Sequence, residues 1–269
     1  MSLHDGKRGE LRLYHAPSSY YSMIARFALA ERGLAFTPVF VDIHARMSQQ
    51  APDYVRLNPH MTVPTLTGAG FDLYESRAIA LYAFGLEESG LDEETRGWLD
   101  LHYGYPIEEL TFGRLLTRNP LAGVLFPKRL DAARQKLLKL AEANPDLAEL
   151  YRQRADVFAH RVLAFDPHLV RALGVRRQSE AIGFLDRLET ALGDGRAWLV
   201  TSGFGVADIV WIVFLARMQF TGLGAEIDQR PKLARYWHAA EARRSFAAAD
   251  IWTRLHLGRL IAGILGLVK

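Results

Sequence analysis

The order of local patterns constrains this chain more than any single motif. Leu11 to Tyr14 is a short apolar run, Ser22 to Arg32 repeats apolar residues at helical spacing and stops at Gly33, and "TPVFVDI" is β-branched and strand-like. Together these read as a β-α-β unit. A helical stretch around Asp53 to Leu57 follows, then two extended pieces, "PTLTG" and "FDLYE", joined as a hairpin through Gly68-Ala69-Gly70, and a helix opening near Ser76. From about Glu87 the pattern turns to helices alone. They are expected over Leu91 to Leu116, Lys128 to Ala143, Arg177 to Leu192, Val206 to Phe220 and Pro231 to Arg243. "NPDL" at Asn144 and "DPHL" at Asp166 each set a capping side chain directly before a proline, which predicts two helix starts. The expected division is an α/β domain over residues 1–86 and an all-helical domain over 87–269, without internal repeats.

Composition removes several kinds of chemistry. The chain has no cysteine, so disulfides, thiolate metal sites and any attack by the protein's own sulfur are excluded. The net charge is +3 and the basic residues are spread along helical faces, which reads as a solvated surface and not as a nucleic-acid footprint. "MSLHDGKRGE" lacks an apolar core, so no signal peptide is expected and the cytoplasm is the default location. The apolar run Leu260 to Val268 falls well short of the ~20 residues that span a bilayer. It is expected to pack on the body or on a partner subunit, with weak contact to a membrane surface as the other reading.

"SSYYS", Ser18 to Ser22, stands between the first strand and the first helix, where hydroxyls can cap the helix or hold an anion or thiolate. "YESRAI" sets Glu75 and Ser76 at the start of the third helix, and there a serine is first of all a good N-cap. The same geometry can bind a carboxylate at the helix N-terminus while Glu75 accepts from an ammonium, and a γ-glutamyl group carries both charges. In "NPHMTVPTL", Pro64 lacks an N–H and reads as a strand entry.

This order of parts, with those motifs, resembles the glutathione transferase superfamily: a thioredoxin-like N-terminal domain followed by an all-α domain. "PDYVRLN", "VPTL", "ADIVWIVFLARM", "RPKLARYW" and "ARRSF" look like the bacterial tetrachlorohydroquinone reductive dehalogenase group, and "KLAEANPDLAELY" is similar to the ganglioside-induced differentiation-associated proteins. The second likeness implies a long helical insertion at about 117–175. The serine-rich stretch resembles that of zeta-class transferases and aligns Ser19 with their catalytic serine, while Ser22 aligns with the serine suggested for bacterial β-etherases.

The resemblance implies glutathione as co-substrate, no metal, and a homodimer. Ser19 would stabilise the thiolate, with Tyr21 and Ser22 as alternatives, and Tyr14 is read as core. Pro64 would be cis, presenting the backbone of Val63 to the cysteinyl unit, Glu75 and Ser76 would hold the γ-glutamyl end, and Thr62 stands where the glycyl carboxylate is often contacted. Met61 departs from a usual glycine and Gly205 from the usual Ser or Thr of a capping box, whose Asp208 can still reach the Gly205 N–H.

The expected activity is glutathione transfer to a small aromatic or hydrophobic electrophile, as in detoxification or aromatic-compound metabolism. A glutathione-dependent isomerase or ether-cleaving lyase comes next, and a non-catalytic transferase-like binding protein is the rival from another class. Cysteine-dependent reductive dehalogenation is disfavoured, because Tyr21 stands at the position of the resolving cysteine. Tyr103, Tyr105, Phe112, Arg114 and Arg118 are candidate lining for the second substrate, although an aromatic stripe at helical spacing is more often core.

Overall fold

The computed structural model describes residues 10–118, 120–166, 168–256 and 258. The apolar run Leu260 to Val268 and Pro167 of "DPHL" lie outside the described residues. The N-terminal elements are β1 (Arg12–His15), α1 (Tyr20–Glu31), β2 (Thr37–Phe40), α2 (Pro52–Leu57), β3 (Thr65–Gly68), β4 (Phe71–Tyr74) and α3 (Ser76–Phe84). Helices follow: α4 (Glu93–Tyr103), α5 (Ile107–Arg118), α6 (Pro120–Ala143), α7 (Ala148–Ala164), α8 (Val170–Ala191), α9 (Val206–Phe220), α10 (Gly224–Asp228), α11 (Pro231–Glu241) and α12 (Arg244–Ala248).

The sheet has the order β2-β1-β3-β4, with β1 parallel to β2 and antiparallel to β3, and β3 antiparallel to β4. Parallel β1 and β2 need a crossover, and α1 supplies it. Leu13 and Leu66 face each other in register and are both fully buried. This is the thioredoxin-like domain, followed by the all-helical domain.

The chain forms two compact units. The first comprises residues 1–49, 62–105 and 185–269, so the sheet, α1 and α3 share it with α4 and the helices from α9 onward. Its centre is α9, where every residue from Val206 to Met218 is buried, as in a helix apolar on all sides. The Asp208 side chain closes the start of α9. Oδ2 accepts the Gly205 N–H at 2.8 Å, and Oδ1 accepts both the Leu199 N–H and the Tyr236 hydroxyl at 2.9 Å. The reach from Asp208 back to Gly205 follows from the sequence, whereas the other two donors do not.

The second unit, residues 50–61 and 106–184, is built on the long α6–α7 pair. Backbones of α5 and α8 touch at Gly113 and Gly174, where a Cβ on Gly113 would stand 2.8 Å from the Gly174 Cα. Phe112, Phe126 and Phe165 form an aromatic cluster there.

Three boundaries differ from expectation. The helix expected over Leu91 to Leu116 breaks into α4 and α5 at Gly104-Tyr105-Pro106, because proline carries no N–H for the ladder and disfavours helical geometry in the residue before it. Helix α6 begins eight residues before the expected Lys128 and holds Pro127 in its interior. Asn144 opens a short 3-10 turn, Pro145–Leu147, and its side-chain amide donates backward to the Leu140 carbonyl, so it does not cap α7.

Candidate active site

Four loops leave one end of the sheet. Tyr14 pairs with Thr65, Thr65 with Tyr74, and His15 with Phe40. Given the strand directions, the C-terminal ends of β1, β2 and β4 and the N-terminal end of β3 lie in one row. Residues 16–19, 41–46, 62–64 and 75–76 continue from those ends and therefore gather there.

Ser19 is the N-cap of α1, extended at φ −72° and ψ 125°, and its Oγ accepts the Ser22 N–H at 3.3 Å. An N-cap hydroxyl uses a lone pair for this and keeps its O–H to donate elsewhere. Ser22 is fully buried and its Oγ accepts the Ala16 N–H at 3.4 Å, which closes the strand-to-helix corner. Ser22, an alternative activator, is thus placed at the base of the α1 N-terminus. Tyr21 is half-buried, with its ring edge-on to Tyr20 at 5.2 Å. Tyr14 is half-buried and not core.

The Val63–Pro64 peptide is cis and both residues are buried, directly before the first residue of β3. Thr62 beside them is half-buried. Met61 and Glu75 have φ of +52° and +101°, in the left-handed region that favours glycine. Non-glycine residues held there cost of order 1–3 kcal/mol and cluster at ligand-binding sites.

Glu75, not Ser76, occupies the N-cap position of α3, exposed and without a side-chain capping bond. Ser76 is the first helical residue, buried, with its Oγ 3.0 Å from the Tyr103 hydroxyl. That corrects the capping reading of Ser76.

Three arrangements were not foreseen from the sequence. Arg26 of α1 is buried and donates to the carbonyls of Ala249 (2.7 Å), Asp250 (3.1 Å), Pro17 (3.2 Å) and Ala16 (3.4 Å), and to His15 Nδ1 at 3.2 Å. It fixes the loop that leads to Ser19. Burial, with the Arg26 charge second, lowers the His15 pKa to about 4. Tyr20, next to Ser19, meets His102 of α4, and Ser18 Oγ lies 2.8 Å from His44 Nε2. The only signals for these were a charge inside an apolar helical run and lone histidines, and neither is specific.

The candidate second-substrate residues are divided between the two units. Tyr103 stays beside Ser76, while Tyr105 is buried against Phe214 at 5.9 Å, the core reading of such a stripe, and Phe112 belongs to the aromatic cluster of the second unit. Arg114 donates to Gln178, and Arg118 is exposed. Among the described residues no group of three or more acidic or histidine side chains could hold a metal ion. No described helix is long and apolar enough to cross a membrane.

A thioredoxin-like sheet with a capped helix N-terminus, a cis-proline strand entry and a strained Glu-Ser corner at one end, followed by a helical domain, defines the class. The N-terminal domain family of glutathione S-transferases matches residues 9–84, and the C-terminal domain family matches 174–239. The chain belongs to the glutathione S-transferase family. It is 30% identical over 250 residues to the tetrachloro-p-hydroquinone reductive dehalogenase of Sphingobium chlorophenolicum, covering 90% of this chain and 96% of that protein. It is 26% identical over 294 residues to the human ganglioside-induced differentiation-associated protein 1-like 1, covering 97% and 80%. Among solved structures, the β-etherase LigF of Sphingobium sp. strain SYK-6 shares the fold with a TM-score of 0.61 at 22% identity, covering 89% of this chain and 98% of that one.

Proposed function

We propose that the protein is a glutathione S-transferase that ionises the glutathione thiol for attack on a small aromatic or hydrophobic electrophile, and that it works as a cytoplasmic homodimer. The observation that carries this reading is the convergence at one sheet end of Ser19, the Val63–Pro64 entry and the Glu75-Ser76 corner. Ser19 keeps an O–H to donate at the α1 N-terminus, where the helix dipole favours an anion. Each unit of thiol pKa depression from ~8.5 corresponds to about 1.4 kcal/mol, and a hydroxyl bond with a helix terminus supplies roughly one to two units. Val63, whose N–H and C=O take no partner among the described residues, would pair with the cysteinyl backbone by strand-like addition, next to Thr62. Glu75 and Ser76 would hold the γ-glutamyl end.

Having no cysteine, the protein leaves glutathione as the only thiol in the reaction. Transfer, isomerisation or lyase chemistry is compatible with that. Reductive dehalogenation through an enzyme thiol is not, although one relative is named as a reductive dehalogenase.

The test is a calorimetric titration with glutathione, with thiolate absorbance of the complex followed against pH in the parent and in Ser19→Ala. A depressed thiol pKa that rises in the variant is expected. Undetectable binding at millimolar glutathione would sink the reading and favour a non-catalytic binding protein.

A further inference from the structure

An ionising thiol must hand its proton to something, and a base sits one residue from the capping serine. Ser18 directly precedes Ser19, and its Oγ meets His44 Nε2 at 2.8 Å. The two loops carrying this pair leave adjacent strands at the same sheet end, since His15 pairs with Phe40. His44 is held there by a clamp. The Asp42 carboxylate accepts the backbone N–H groups of His44 (2.8 Å), Ala45 (2.9 Å) and Arg46 (3.1 Å), which closes the turn after β2. On the other side, Ser19 N–H bonds the Ala16 carbonyl at 3.1 Å and Arg26 holds the Pro17 carbonyl. Both halves of the pair stand on hydrogen-bonded backbone, and both side chains are half-buried, open enough to reach a ligand.

We infer that Ser18 and His44 form a relay that takes the proton of the glutathione thiol. The inference rests on the proposed glutathione site. The S–H bond of the thiol breaks, its proton passes to Ser18 Oγ, and the Ser18 O–H proton passes to Nε2 of the Nδ1–H tautomer of His44. The products are a thiolate, a neutral Ser18 hydroxyl and an imidazolium. Nothing else is consumed. A thiolate and an imidazolium stabilise each other, as in histidine-paired cysteines.

The Asp42 carboxylate on the same turn is coupled to His44. Asp42 favours the imidazolium, and the coupling is mutual. Burial raises the Asp42 pKa, but the three backbone N–H bonds and the His44 charge outweigh it and hold the carboxylate below its usual range.

The division of labour is then Ser19 for the hydrogen bond to the thiolate and Ser18 with His44 for its proton. The pair explains why two adjacent serines stand before α1 when one suffices for capping.

The test counts protons. Glutathione is titrated by calorimetry in two buffers of different ionisation enthalpy at about pH 7.5, where most free thiol is still protonated, while absorbance reports the thiolate formed. The parent is expected to form the thiolate with almost no proton released to buffer, because His44 keeps it. His44→Gln and Ser18→Ala, each checked for folding by circular dichroism, are expected to release about one proton per thiol ionised, and to need a higher pH to ionise it. A lost structural contact would weaken binding without moving that stoichiometry. Thiolate formation in the parent with a full proton in the buffer overturns the relay and leaves the transferase reading intact, as do variants that match the parent. No binding or no thiolate in the parent overturns both.

Discussion

Tyr20 and His102 meet at 2.7 Å, phenol oxygen to Nε2, with both side chains buried and their rings stacked at 5.8 Å. The next residue of α4, Tyr103, reaches Ser76 Oγ at 3.0 Å. Two consecutive residues at the end of α4 therefore tie down the first turns of α1 and of α3, the two helices that begin at the candidate site. Arg217 of α9 lies over the Tyr20 ring at 5.3 Å, so this anchoring extends to the central helix.

Burial first, with the Arg77 charge second, lowers the His102 pKa to about 3, and His15 is lowered to about 4, against an ordinary 6.5. Below 6.5 the unfolded chain binds protons that these buried rings refuse, so their contribution is complete above that pH and is lost as pH falls toward 4 and then 3. Burial raises Asp208 from 3.8 to about 6, which acts in the opposite sense, stability falling as pH rises through that window. Each group changes stability by about 1.4 kcal/mol per pH unit, so between about pH 4 and 6 the two histidines outweigh the one carboxylate. Urea unfolding at pH 4.5 and 6.5 should show lower stability at the acid value, with a shallower dependence in His102→Gln. Equal stability at both values would refute the assignment.

Glu75→Gly separates stability from binding. Glycine adopts a φ of +101° without strain, which returns roughly 1–3 kcal/mol against an entropic cost of about 0.5–1 kcal/mol. Denaturation should find the variant as stable as the parent or up to about 2 kcal/mol more so. Glutathione titration should find it weaker by at least the factor of about ten that loss of a charged hydrogen bond brings.

Two glycine positions give opposite results. Gly113→Ala puts a Cβ 2.8 Å from the Gly174 Cα, a backbone atom that cannot move without separating α5 from α8, and should cost about 2 kcal/mol or more. Gly183, exposed within α8, has nothing within 4 Å of an added Cβ, so Gly183→Ala should stabilise by about 0.5–1 kcal/mol. Melting temperatures moving in the same direction would contradict the close approach of α5 and α8 at Gly113.

Arg26→Lys keeps the charge and loses the fork. A single ammonium cannot serve carbonyls as far apart in sequence as Ala16, Pro17, Ala249 and Asp250. The expected loss is about 2–4 kcal/mol in urea unfolding, with weaker glutathione binding because residues 15–17 lead into Ser19. Unchanged affinity in a folded variant would show that the loop holds its shape without the arginine.

The β-α-β, β-β-α order, the hairpin at Gly68-Ala69-Gly70, α9 and the reach of Asp208 to Gly205 were legible because each depends on neighbours in sequence: alternation, turn residues, a short capping span. The break before α5 was legible too, in Gly104-Tyr105-Pro106, but the surrounding apolar spacing continued across it. The interior Pro127 hid the start of α6, since a proline reads locally as a stop while an otherwise hydrogen-bonded helix can absorb one missing N–H.

The sequence by itself determined the fold and the chemistry available to it: a thioredoxin-like domain before a helical one, hydroxyls at a helix start, and no thiol of its own. Tertiary structure decided which hydroxyl does what. Ser18, Ser19 and Ser22 are near-equivalent as letters. Yet packing turns Ser22 inward to Ala16, leaves Ser19 as the cap with its proton free to donate, and sets Ser18 against His44 from a different strand end. A hydrogen bond across 26 residues depends on sheet register and on the Asp42 clamp, and no local pattern encodes either.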